Sequence, residues 1–354
     1  MKSVHRTSIG ASRSAILIML AALVSCVQAQ ELIGRREQPA SGGEIKRSMS
    51  DLQTWSERTS DQGGRLSMPE RVSRAISVLQ ASPAMATPVL MSAFTNRKLN
   101  VVFRINCAEL MRQFRISSPP SYFAALEAMI TDGRENPVIR VDAANILLTS
   151  NKSLPSEVRS NILDLADSLL REGRDKAHVR LMIMPHFTLD PRAVQIMLSE
   201  LARDSDLGQT FHVLARLKDR SVVPVIKRAI RDKRGDSRFP ITRAHLALGE
   251  LGGVEAYDFL VKELASEKSE TQRHIILEAI GLSRDARARQ LLITHLEKPQ
   301  DFLGAIEGLK FLGDESVVPI LKTLVERPDL SKTRKRFTAR TIVALETGDS
   351  FPDW

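Results

Sequence analysis

A seven-residue phrase recurs in this chain, and the recurrence limits the fold more than any other feature. Lys218-Asp219-Arg220-Ser221-Val222-Val223-Pro224 is matched by Gly313-Asp314-Glu315-Ser316-Val317-Val318-Pro319, 95 residues later. Turn positions at Asp190, Asp219, Gly253, Asp285, Asp314 and Asp349 cut the chain at intervals of 29, 34, 32, 29 and 35 residues. Units of this length are too short to bury a core alone, so successive units must lean on each other.

The helix after each turn carries the same stripe. Three, six, seven and eleven residues past the turn stand Ala193, Ile196, Met197 and Leu201, then Val222, Val225, Ile226 and Ile230. Next come Ala256, Phe259, Leu260 and Leu264, then Ala288, Leu291, Leu292 and Leu296, then Val317, Ile320, Leu321 and Val325. All twenty are apolar in a chain that is 43% hydrophobic. The spacing puts them on one side of a helix. The preceding helix adds Leu214/Leu217, Leu248/Leu251 and Leu309/Leu312, so each unit is a helical hairpin. Ser221 and Ser316 read as N-caps, with Pro224 and Pro319 in the first turn, where a missing N–H costs little. The helical period runs from Pro69 onward, through Val72/Ala75/Ile76/Leu79, Phe103/Cys107/Leu110/Phe114 and Val158/Ile162/Leu165/Leu169. The predicted class is all-α, an α–α superhelix or solenoid over 69–354, with clear repeats from about 178.

Two segments carry a family likeness: Ala247-Leu248-Gly249-Glu250-Leu251-Gly252-Gly253 and Gly308-Leu309-Lys310-Phe311-Leu312-Gly313-Asp314. Together with an arginine opening the first helix (Arg243, Arg273, Arg340), they resemble HEAT repeats, in particular the short HEAT-like repeats of the phycobilin-lyase type. The resemblance is good over about 178–350 and weak over 69–177. It implies a superhelix used chiefly to hold other proteins. It does not imply lyase activity.

The amino terminus predicts export from a bacterial cell. Lys2, Arg6 and Arg13 precede the apolar run Ala15–Val24, which is shorter than the roughly 20 residues a stable spanning helix needs. Two endings fit. Val27-Gln28-Ala29 places cleavage before Gln30, making 1–29 a signal peptide. Leu23-Val24-Ser25-Cys26 resembles a lipobox, in which Cys26 is lipidated and anchors the chain to an envelope membrane. Residues 30–68 are polar and read as a mostly disordered linker, with Ile45, Met49, Leu52 and Trp55 able to form one short docking helix. The formal charge of +9 falls to +6 without residues 1–29, an excess that favours acidic partners without naming one.

Chemistry is hard to find. His186, His212, His245, His274 and His295 sit at different offsets from their own turns and form no metal-ligand spacing. Cys107 lies on a core stripe, and the two cysteines make no disulfide framework. No nucleophile elbow, phosphate loop or dinucleotide fingerprint occurs. The expected function is therefore a non-enzymatic scaffold of the cell envelope, with no cofactor and no metal, gripping a protein or peptide. Its expected grip is a concave face lined by the post-turn helices, with Lys227, Arg231, Lys262, Lys322 and Glu326 as contacts. Basic clusters at Lys227–Arg238 and Lys332–Arg340 leave an anionic envelope surface as a second partner class. Nucleic acid is disfavoured, with only two Trp and two Tyr for stacking. The alternative is a HEAT-like enzyme of lyase or glycosylase type, or an anionic-polymer or nucleic-acid binder, if the signal is not used.

Overall fold

The computed structural model describes residues 40–61, 68–114, 120–150, 153–174, 176–203, 207–233 and 240–348. The predicted signal, Cys26 and the first part of the predicted linker lie outside them. Among the described residues the chain is all-α, with no strand. It divides into two compact units, 1–182 and 183–354.

In the first unit, α1 (Gly42–Asp61) packs on α2 (Glu70–Ala81) and on α4 (Val101–Phe114), which in turn packs on α6 (Pro137–Ser150). Beside them α3 (Pro83–Thr95) packs on α5 (Pro120–Thr131), and α5 on α7 (Ser156–Arg171). Two layers result, formed by alternate helices. Alternate helices thus pack together here although the repeat signature in the sequence is weak. The linker expectation changes over residues 42–61, which form a 20-residue helix. Ile45, Met49, Leu52 and Trp55 are all buried in it. Two buried hydrogen bonds fasten this segment: Asn106 Nδ2 of α4 donates to Ser56 Oγ at 2.8 Å, and Ala40 N donates to Ser82 Oγ at 2.7 Å. Trp55 is therefore a core residue.

The boundary between the units falls within α8 (Lys176–His186). In the second unit the helices after each turn are α9 (Pro191–Leu201), α11 (Val223–Lys233), α13 (Val254–Ser266), α15 (Ala288–His295) and α17 (Val318–Glu326). The helices before the turns are α10 (Leu207–Arg216), α12 (Ile241–Leu251), α14 (Glu270–Leu282) and α16 (Phe302–Leu312), and α18 (Lys332–Thr347) ends the series. Each even helix packs on the next: α10 on α12, α12 on α14, α14 on α16, α16 on α18. The odd helices pack beside them.

The stripe is buried by offset. All ten residues at offsets three and seven, from Ala193 and Met197 to Val317 and Leu321, are 0% exposed. Offset six lies about 80° from their mean direction at about 100° per residue, and there Val225 and Ile320 reach the surface. Capping differs from expectation. Ser221 and Ser316 are not the caps; their backbone N–H groups donate to Asp219 Oδ1 at 2.9 Å and Asp314 Oδ1 at 3.0 Å. Asp190 and Asp285 accept likewise from Arg192 N and Arg287 N. A carboxylate caps better because its charge also meets the positive end of the helix dipole.

The residue just before each turn has a positive φ: Leu189 (61°), Lys218 (58°), Gly252 (64°), Arg284 (51°), Gly313 (70°) and Gly348 (73°), with Gly313 and Gly348 left-handed helical and Gly252 extended at ψ −164°. Each ends an even helix with the reversal that glycine usually supplies. Three of the six are not glycine, so the backbone repeats more faithfully than the residues do.

Candidate binding face

The contacts expected from the sequence all lie on odd helices. Lys227 and Arg231, four apart on α11, place their charges 5.6 and 5.4 Å from the ring centre of Phe259 on α13. Lys227 Nζ also donates to Glu255 Oε1 at 2.7 Å, so it is already held by its neighbours. Lys262 is exposed on α13. Lys322, on α17, is exposed and pairs with Glu346 of α18 at 2.8 Å, and Glu326 is exposed at the end of α17. The structure gathers Lys227, Arg231 and Phe259 and leaves Lys322 and Glu326 on another hairpin.

The even layer carries a different set of charges. Arg216 of α10 pairs with Glu250 of α12 at 3.0 Å. On α14, His274 Nε2 lies 2.9 Å from Glu278 Oε1, and on α16 Lys310 Nζ donates to Glu307 Oε2 at 3.2 Å. Leu246, Ile275 and Leu303 lie among them, and all of these residues are half-buried. Outward residues of the odd helices, such as Glu255, Asp258, Lys262 and Lys322, are instead exposed. Burial raises the Glu250 carboxyl above its ordinary range, with Arg216 and Lys218 opposing the shift. His274 is raised by its hydrogen bond to Glu278, against burial, and by the charge of Glu307 on the next even helix. His212 is lowered by burial and by Arg216 and Arg243.

Glycines explain why this layer is tight. A methyl on Gly249 would strike the Ala279 backbone, and one on Gly281 would strike Gly308. One on Gly304 would come within 2.7 Å of His274 Cα. The helix backbones approach too closely there for any side chain.

Buried charges elsewhere serve the scaffold. Arg104 of α4 donates to both carboxylate oxygens of Glu135, at 3.0 and 2.7 Å, and through Nε to the Phe94 carbonyl at 2.7 Å. Arg273 of α14 repeats the device: Nε and Nη2 donate to Asp301 at 2.7 Å, and Nη1 donates to the carbonyls of Leu264 and Glu267. Of the three arginines singled out from the sequence, only Arg273 works this way; Arg243 and Arg340 are exposed. His295 Nδ1 is 2.7 Å from Asp301, but the Lys298 ammonium sits 3.4 Å from its Nε2. A general base needs that nitrogen turned to a substrate proton, and here a cation occupies the approach.

Cys107 is fully buried, and burial pushes its thiol well above the usual range, away from the thiolate that reacts. Among the described residues no three His, Cys, Asp or Glu side chains converge to hold a metal ion. No described helix is long and apolar enough to cross a membrane by itself. Neither a comparison with protein-family models nor a search of curated proteins finds a match to this chain.

Proposed function

We propose that this chain is a HEAT-like helical solenoid without chemistry of its own, an exported scaffold of the bacterial cell envelope. Its partner is a protein or peptide held along the even helices of the second unit. The observation that carries this reading is the half-buried row Glu250, Glu278, Glu307 and Lys310, interleaved with Leu246, Ile275 and Leu303. A curved stack is concave on the layer whose helices approach most closely. Here the glycine contacts favour the even layer, the reverse of a groove lined by post-turn helices. Half-burial of Arg216, Glu250, Glu278, Glu307 and Lys310 supports the same side. Lys227, Arg231, Lys262, Lys322 and Glu326 then belong to the outer layer and serve as secondary contacts.

The row is mixed in charge, with apolar residues between the acids, which suits a peptide carrying both basic and aliphatic side chains. The test is capture from envelope extract with the full mature chain. A defined protein should be retained by the wild type and lost with the pair Glu278→Lys and Glu307→Lys. Retention of no specific protein, or of one indifferent to that pair, would end this reading. Intact-mass analysis of the protein from its host tests the export reading. Gln30 as first residue or an acylated Cys26 supports it, and an unprocessed Met1 rejects it.

A further inference from the structure

The last described helix carries five cations within nine residues: Lys332, Arg334, Lys335, Arg336 and Arg340. Its only acid is Glu346, which is paired with Lys322. The buried side of α18 is Thr338, Thr341, Ile342 and Leu345, directed into the unit. Its other side is exposed and reads Lys332, Arg336, Ala339, Arg340 and Val343, with Val343 57% exposed. At about 100° per residue these five fall within a stripe about 100° wide. Successive cations are about 6 Å apart along the axis.

Arg334 is engaged, donating to the Pro299 carbonyl at 2.9 Å with its guanidinium over the Phe302 ring. Lys332, Lys335, Arg336 and Arg340 form no ion pair among the described residues. The nearby Asp329 pairs with Arg327 at 2.8 Å and also feels the charge of Lys335. The charges of Lys332, Arg336 and Arg340 are therefore uncompensated among the described residues, and the exposed Ala339 and Val343 lie between and beside them.

We propose that the outer face of α18 docks on an anionic lipid bilayer, with the three aligned cations at the headgroups and Val343 at the acyl boundary. The occupant follows from shape and charge together. A single convex helix flank has no second wall to enclose a peptide, yet it can lie flat on a planar anionic surface. Basic amphipathic helices bind such surfaces through near-additive contributions from each Lys or Arg. This inference does not depend on the groove of the even layer.

The experiment is sedimentation of the full mature chain with vesicles of phosphatidylcholine containing about a third phosphatidylglycerol, against phosphatidylcholine alone, at low and high salt. Binding is expected only to the anionic vesicles and should fall steeply with salt. Each cation is worth about fivefold in affinity at this charge density, so the triple variant K332E/R336E/R340E, which removes three cations and adds three repelled acids, should bind at least about a hundredfold more weakly. The matched variant K46E/R47E/R71E, which reverses three exposed cations of the first unit, should bind as the wild type does. Circular dichroism of both variants checks that they remain folded. Equal binding to neutral vesicles, or triple-variant binding equal to wild type, overturns the proposal. So does binding gained only when the chain is ended at Gly348, which would assign the face to the chain's own last residues. Loss of an acidic protein partner in the triple variant, with no vesicle binding by the wild type, would equally overturn it.

Discussion

Asp301 is wholly buried, and Arg273 closes on both of its carboxylate oxygens at 2.7 Å from the preceding even helix. Burial alone would raise Asp301, but hydrogen bonds from Arg273 and His295 hold it below the ordinary carboxylate range. Removing one partner strands the other charge in the interior. Arg273→Ala should therefore cost about 3–5 kcal/mol. The double replacement Arg273→Met with Asp301→Leu should cost much less than the sum of the two single ones. Urea denaturation of the four chains measures the coupling, and strictly additive losses would show the pair to be incidental.

The two histidines near this cluster should pull stability in opposite directions with pH. His274 is raised, first by its hydrogen bond to Glu278. Its contribution is complete below the ordinary value of about 6.5 and is lost as pH rises through the higher folded value. His295 is lowered, first by burial. Its neutral form is the one the fold favours, so its contribution is complete above about 6.5 and lost as pH falls. The destabilisation caused by His274→Gln should be greater at pH 5.5 than at pH 8.5. That caused by His295→Gln should be greater at pH 8.5. Denaturation midpoints at the two pH values test both signs.

The tight even layer makes a prediction of its own. Gly281→Ala must push α14 away from the Gly308 backbone of α16, and overpacking of this kind costs about 1–3 kcal/mol. Gly43→Ala on α1 meets only Ser41 Oγ at 4.0 Å and should gain up to about 1 kcal/mol from helix propensity. Thermal melts of the two variants should move in opposite directions. A neutral Gly281→Ala would show that the layer has slack.

The stripe was legible because a period of 3.6 survives any drift in residue identity, and the ten innermost positions all proved fully buried. The first helix was half legible. Its apolar residues stood at helical spacing, but the polar composition around them resembled a tether. What could not be read was which layer lies closer, since that depends on Gly249, Gly281, Gly304 and Gly308 meeting backbones across neighbouring helices. The charges of the even layer were missed for the same reason. A signal for the buried pairs did exist: Arg104 finds Glu135 31 residues on, and Arg273 finds Asp301 28 residues on, each spanning close to one repeat. In the first unit irregular spacing hid the register, and in the second Asp301 stands outside the turn positions that marked the repeat.

Lys218 holds a positive φ of 58° in the place where Gly313 is left-handed at φ 70°. A side chain there costs about 1–2 kcal/mol, part of which glycine gives back through its freer unfolded chain. Lys218→Gly should stabilise the second unit by about 0.5–1 kcal/mol. The converse change, Gly313→Ala, should destabilise it by about the same amount. Both are read from denaturant midpoints at unchanged slope, and a loss in Lys218→Gly would refute the shared turn geometry.

Cys107 offers a probe of the first unit. It is 0% exposed on α4, and α1, whose Leu52 and Trp55 are buried, packs on the same helix and is tied to it by the Asn106–Ser56 hydrogen bond. Because burial raises the thiol and shields it, a maleimide should label Cys107 in the folded chain only through opening of that core. Leu52→Ala leaves a cavity worth about 2–5 kcal/mol. If α1 is an integral layer, labelling at Cys107, read by peptide mass, should accelerate by about thirtyfold or more, since each 1.4 kcal/mol is about a factor of ten. If α1 were a detachable arm, the rate would stay close to that of the wild type.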